Sequence, residues 1–66
     1  MNERSVVVTV IAMLEERIRE HEEFQARVCA AGTSAPKEVL VAYICSREEV
    51  SFLRRVLLEL ITDTVH

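Results

Sequence analysis

The sequence predicts an all-α protein in which two long helices form an antiparallel hairpin. Half of the 66 residues are hydrophobic, but the chain has only one Gly and one Pro. That is too few turn residues for a small β-barrel or sandwich. Both turn residues, Gly32 and Pro36, lie close to the middle of the chain. On either side of them, apolar residues recur at the three- and four-residue steps of a helix.

The first helix is predicted over residues of about 4–31. Its inward-facing residues follow one another at alternating steps of four and three, which is the period of a helix and not of a strand. They are Val7, Ile11, Leu14, Ile18, His21, Gln25 and Val28. The opposite side carries Glu and Arg residues and is predicted to face water.

A short turn is predicted over residues 32–35. Glycine is the preferred residue just after a helix, because it adopts the left-handed conformation without a steric cost. Proline is tolerated in the first turn of a helix, where its missing N–H would have no partner. Ser34 or Thr33 is expected to cap the helix that follows.

The second helix is predicted over residues of about 36–64. It repeats the same spacing with Val39, Tyr43, Ser46, Val50, Leu53, Leu57 and Leu60. Folding the chain back between residues 33 and 34 brings Leu14 opposite Leu53 and Val7 opposite Leu60. The two apolar stripes therefore meet, which favours the hairpin.

A small β-α-β-α unit is the alternative. Residues 6–11 are all β-branched and residues 39–44 are all apolar, so both segments are compatible with buried strands. Ser46 and Glu49 have the spacing of a capping box, which would start a new helix. The hairpin is preferred because no turn residue follows the first candidate strand, and because two strands make a poor sheet.

The chain has more apolar surface than one hairpin can bury. Val6, Val10 and Met13 lie to one side of the first stripe, while Phe52 and Val56 widen the second. All five fall near the open end of the hairpin, away from the turn. Exposed apolar surface of this kind indicates association. The hairpin is therefore expected to complete a four-helix bundle, either by dimerising or by docking on the helices of a partner.

Composition excludes several classes of function. The net charge is −3, and the basic residues are dispersed among more numerous acidic ones, which disfavours binding to duplex nucleic acid. The apolar run at residues 6–14 is less than half of the roughly 20 residues that a membrane-spanning helix needs. Two cysteines are too few for a disulfide-stapled secreted scaffold. We therefore expect one domain, residues 1–66, in the cytoplasm, with no membrane contact.

No motif for catalysis, cofactor binding or metal binding occurs in the sequence. The chain is accordingly predicted not to be an enzyme, with no cofactor and no metal. Cys29 and Cys45 are interpreted as buried free thiols. His21 lies within the first stripe and is interpreted as a partly buried histidine that is hydrogen-bonded near Ser46 or Tyr43.

Three arginines are candidates for a polar contact: Arg47, Arg54 and Arg55. They are expected either to form an interface ion pair or to contact RNA. In size, turn position and dimeric hairpin outline the chain resembles Rop, a plasmid protein that binds paired RNA loops, which implies a dimeric RNA-binding regulator. It is also similar in outline to the small E-type co-chaperones of type III secretion. The sequence favours a small adaptor, co-chaperone or inhibitor that works by helix–helix association.

Overall fold

The chain forms two helices of equal length that pack against each other in antiparallel directions. The computed structural model describes residues 3–65. Helix α1 spans Glu3–Ala31 and helix α2 spans Lys37–Val65, each with 29 residues. A 3-10 turn at Gly32–Ser34 joins them. The molecule measures 49 × 17 × 15 Å, and the all-α hairpin predicted from the spacing is confirmed.

Both segments that resembled strands are helical. No strand occurs between residues 3 and 65, and α2 continues through Ser46 without a break, so the β-α-β-α alternative is wrong. A β-branched residue disfavours a helix by less than about 1 kcal/mol, and packing along a helical stripe outweighs that cost. Within the first run, the Thr9 hydroxyl donates to the Ser5 carbonyl at 2.9 Å.

The connection reverses the chain at Gly32, whose φ is +62°. This is the left-handed conformation that glycine tolerates best. The Pro36 carbonyl accepts a hydrogen bond from the Val39 amide at 3.0 Å and thereby begins α2. The Ser34 hydroxyl, expected to cap the second helix, instead donates to the Ala31 carbonyl at 2.6 Å and closes the end of α1.

The core of the hairpin is small. Ile18, Val50 and Leu53 form a buried cluster, and Leu14 and Leu57 pack against it. Four hydrophobic side chains of the described residues are less than one tenth exposed: Ile18, Val28, Val50 and Leu53. Burial is therefore confined to the stripe along which the two helices touch.

The helix register differs locally from a simple fold-back of the chain. That fold-back places His21 opposite Ser46, and their side chains do form a hydrogen bond of 2.6 Å. However, Ser46 also contacts Gln25, one turn further along α1. Cys29 contacts Tyr43, although the fold-back placed it opposite Glu38. Residues four apart lie on the same helix face, so an offset of one turn keeps the apolar stripes in contact.

The hairpin exposes more surface than a compact protein of its size. A globular monomer of 7.5 kDa exposes about 4,200 Å², whereas this chain exposes 5318 Å². Its radius of gyration is 15.1 Å, compared with about 11 Å for a compact domain of this length. About 1,100 Å² is thus exposed beyond what a compact fold would leave in contact with water.

Gly32→Ala is expected to destabilise the hairpin by about 1–2 kcal/mol, because an L side chain is strained at a φ of +62°. No atom lies within 4 Å of the added Cβ, so the loss comes from the backbone alone. Urea unfolding followed by circular dichroism, at one fixed chain concentration, measures it. Gly32→Asn should lose less, because asparagine tolerates this conformation. An alanine variant as stable as the parent chain would contradict the prediction.

Candidate protein-interaction face

A shallow groove lies on one side of the hairpin, and residues from both helices line it, so these residues share one face. The volume of the groove is about 440 Å³, and it is lined by Arg17, Glu20, His21, Phe24, Ala42, Cys45, Ser46 and Glu49. Helical steps of three and four residues extend this face toward the open end of the hairpin. The residues added in this way are Met13, Val10 and Val6 on α1, and Phe52 and Val56 on α2. We call the groove and these five residues the front face.

The five hydrophobic residues singled out from the sequence thus share the front face. Four of them are exposed: Val6 by 49%, Val10 by 38%, Met13 by 66% and Phe52 by 60%. Val56 is half-buried. Together they form an apolar surface at the open end of the hairpin, and Arg17, Glu20 and Glu49 lie between it and Phe24 and Cys45 in the groove.

A second set of exposed apolar residues lies on the opposite side, which we call the back face. Its members are Val8, Leu40, Ile44, Leu58 and Ile61. The sequence analysis did not identify them, although each directly follows a residue of the inward-facing stripe, which was the available signal. An ion pair between Glu22 and Arg54 crosses from helix to helix on this side. Charged residues therefore lie near the middle of both faces: this ion pair on the back face, and Arg17, Glu20 and Glu49 on the front face.

The three candidate arginines are all on α2 and exposed. Arg54 forms its ion pair within the chain, with Glu22 of α1. The guanidinium carbon of Arg47 lies 5.9 Å from the centre of the Tyr43 ring, a cation–π distance. Arg55 is exposed on the same helix. Arg54, which was a candidate for an ion pair with a partner protein, thus pairs with Glu22 and links the two helices of one hairpin.

A polar cluster lies between the helices at the bottom of the groove. Ser46 is buried, and its Oγ accepts a hydrogen bond from Gln25 Nε2 at 3.2 Å and contacts His21 Nδ1 at 2.6 Å. This confirms the interpretation of His21 as a partly buried, hydrogen-bonded histidine. Its Nε2 lies 3.0 Å from Glu49 Oε2 but forms no hydrogen bond among the described residues. The cluster joins α1 to α2 on the side of the hairpin that is nearer to the turn.

Both cysteines are free and exposed, so their interpretation as buried thiols is wrong. The reason is their position beside the inward-facing stripe instead of on it: Cys45 lines the groove of the front face. The Cys29 Sγ lies 3.7 Å from the Tyr43 hydroxyl oxygen. This hydrogen bond, together with the negative charge of the thiol once it ionises, raises the pKa of Tyr43.

The described residues also bear on metal and membrane binding. Between residues 3 and 65, no three His, Cys, Asp or Glu side chains are grouped so that they could hold a metal ion. Neither α1 nor α2, over the part described, is long and apolar enough to cross a bilayer.

No protein-family model matches the sequence, and no match was found among curated proteins or among solved structures.

Ser46→Ala is expected to lower the free energy of unfolding by about 1–3 kcal/mol, because it leaves His21 and Gln25 without their shared partner between the helices. Chemical denaturation of both variants measures the loss. Ser51→Ala is the matched control, since Ser51 is exposed on the same helix and the change only improves helix propensity. Equal effects at the two serines would contradict a structural role for the cluster.

Cys29→Ala is expected to lower the pKa of Tyr43 toward its ordinary value of about 10. The chain has one Tyr and no Trp, so the ultraviolet absorbance of the phenolate follows this residue alone. Because the folded-state pKa is raised, the contact stabilises the fold below the unfolded pKa, and this stabilisation is lost as the pH rises through the folded pKa. Cys45→Ala should leave the titration unchanged; an equal shift in both variants would refute the assignment to Cys29.

Proposed function

We propose that this chain is a non-enzymatic interaction protein that works by helix–helix association through its front face. The observation that carries the proposal is the exposed apolar surface of Val6, Val10, Met13 and Phe52 beside a core of very few buried side chains. Surfaces of this kind are binding sites in small proteins, because water disfavours a large contiguous apolar patch. An adaptor, a co-chaperone or an inhibitor of a larger protein would act in this way.

The energetics support the front face as the working surface. Phe52 and Met13 are each more than half exposed, and burying a side chain of this size contributes about 1.5–3 kcal/mol. Aromatic and methionine side chains are also enriched at the centres of protein interfaces. The back face is a weaker candidate, because the exposed apolar residues assigned to it are all aliphatic and include no aromatic or methionine side chain.

We place this activity in the cytoplasm. Cys29 and Cys45 are exposed and unpaired with each other, and exposed thiols stay reduced in that compartment. The alternative function, a dimeric RNA-binding regulator, would use Arg47, Arg54 and Arg55. It has less support, because Glu22 already neutralises Arg54.

Phe52→Asp and Val10→Asp are expected to abolish association while leaving the chain helical, because each puts a carboxylate into the apolar contact. Light scattering and circular dichroism on the same samples measure the mass and the helix content. Leu58→Asp and Val8→Asp are the matched controls, since these residues are equally exposed or more so but lie on the back face. They should associate as the parent chain does.

Two results would overturn the proposal. One is a front-face variant that keeps the parent chain's mass and its binding to a purified partner. The other is retention on RNA that falls steeply with salt and is lost when Arg47 and Arg55 are replaced by Ala, which would support the RNA-binding alternative.

A further inference from the structure

We infer that the occupant of the front face is a second copy of this chain, bound with its turn at the opposite end. The inference rests on the proposed function and names the partner in it. The resulting dimer is a four-helix bundle in which α1 packs on α1 of the other copy and α2 packs on α2. Its two-fold axis passes through the middle of the front face.

The front-face residues of each helix form a seam, which here means a line of residues spaced so that it can pack against another helix. Within the described part of the hairpin this seam packs against nothing. On α1 they run at uninterrupted steps of four and three: Val6, Val10, Met13, Arg17, Glu20 and Phe24. On α2 the steps are the same: Ala42, Cys45, Glu49, Phe52 and Val56. Each helix thus carries two seams, one facing the other helix of its own hairpin and one along the front face. Seams with this period pack against further helices.

The exposed area matches what a dimer needs. The hairpin exposes about 1,100 Å² beyond a compact monomer of its mass. A standard interface buries about 800 Å² on each partner. A second hairpin of the same 49 Å length covers the whole front face, so one symmetric contact accounts for most of the excess.

The α1 seam is complementary to itself when two copies run in opposite directions. Its centre falls between Arg17 and Glu20, so Arg17 of each copy meets Glu20 of the other. One step outward, Met13 meets Phe24, which forms part of the groove wall. A sulfur–aromatic contact of this kind is favourable. Both contacts occur twice, as a symmetric interface requires.

Charge distinguishes this orientation from the alternative in which both turns lie at the same end. In that arrangement α1 packs on α2 of the other copy, and Glu20 comes to lie opposite Glu49. Both side chains line the groove, so two acid–acid contacts would form near the centre of the interface. Like charges in direct opposition destabilise a contact, and the antiparallel orientation replaces the two contacts of Glu20 with Glu49 by contacts of Glu20 with Arg17.

Charge reversal tests the partner and the orientation together. In the full-length chain, Arg17→Glu and Glu20→Arg each create two like-charge contacts in the antiparallel dimer. Sedimentation equilibrium at low salt should show a dissociation constant raised about tenfold in each single variant. The double variant Arg17→Glu/Glu20→Arg restores the opposite charges and should return to within about threefold of the parent chain.

The opposite pattern would overturn the orientation. If the turns lie at the same end, Glu20→Arg removes the repulsion from Glu49 and tightens the dimer. A parent chain that stays monomeric at all concentrations, while Phe52→Asp still abolishes binding to a purified partner, would overturn the second copy as occupant. That last result would leave the proposed function standing, so the two failures are distinguishable.

Cysteine cross-linking provides an independent measurement. In a chain whose own cysteines are replaced by Ser, the pair Met13→Cys and Phe24→Cys should form disulfide-linked dimers on mild oxidation. Residues 13 and 24 of one helix are about 16 Å apart, too far for a bridge within one chain. Either substitution alone is the matched control and should give no cross-link; cross-linking by a single variant, or none by the pair, would refute the antiparallel contact.

Discussion

Two helices bury only the stripe along which they touch, and the rest of this hairpin depends on that limit. Among the described hydrophobic residues, Ile18, Val28, Val50 and Leu53 are the ones less than a tenth exposed. Most of the exposed aliphatic side chains lie to either side of the stripe, because a helix turns them away from its neighbour. A core of this size stabilises a 66-residue chain only marginally. Association is the physical means by which further apolar surface leaves water.

The stripe includes a polar cluster on the side nearer to the turn, and this cluster gives the hairpin its alignment. Aliphatic residues four positions apart lie on the same face, so the apolar contacts alone would accept neighbouring registers. The hydrogen bonds of Ser46 with His21 and Gln25 allow only one register, because a slip of one turn would separate these groups and leave them without partners. Buried polar groups select one register in other helix pairs for the same reason.

The two sides of the hairpin differ in what they offer a partner. The front face carries charge at its centre, but it also has Met13 and Phe52 exposed on the surface and Phe24 in the groove. The back face has its exposed aliphatic residues in two groups, with the Glu22–Arg54 pair between them. Desolvating an ion pair costs free energy that apolar contacts must offset. This asymmetry supports the assignment of association to one side only.

The hairpin and the five apolar residues of the front face can be predicted from the amino-acid sequence. Helix formation and chain reversal are local properties, so the period of the apolar residues predicts the helices and Gly32 predicts the turn. The angular position of each residue around its helix follows from residue number alone. The local register and the pairing of Arg54 with Glu22, in contrast, come from the packing of the two helices against each other. These features depend on where the second helix lies relative to the first. Packing between distant residues sets that position, and no local pattern encodes it.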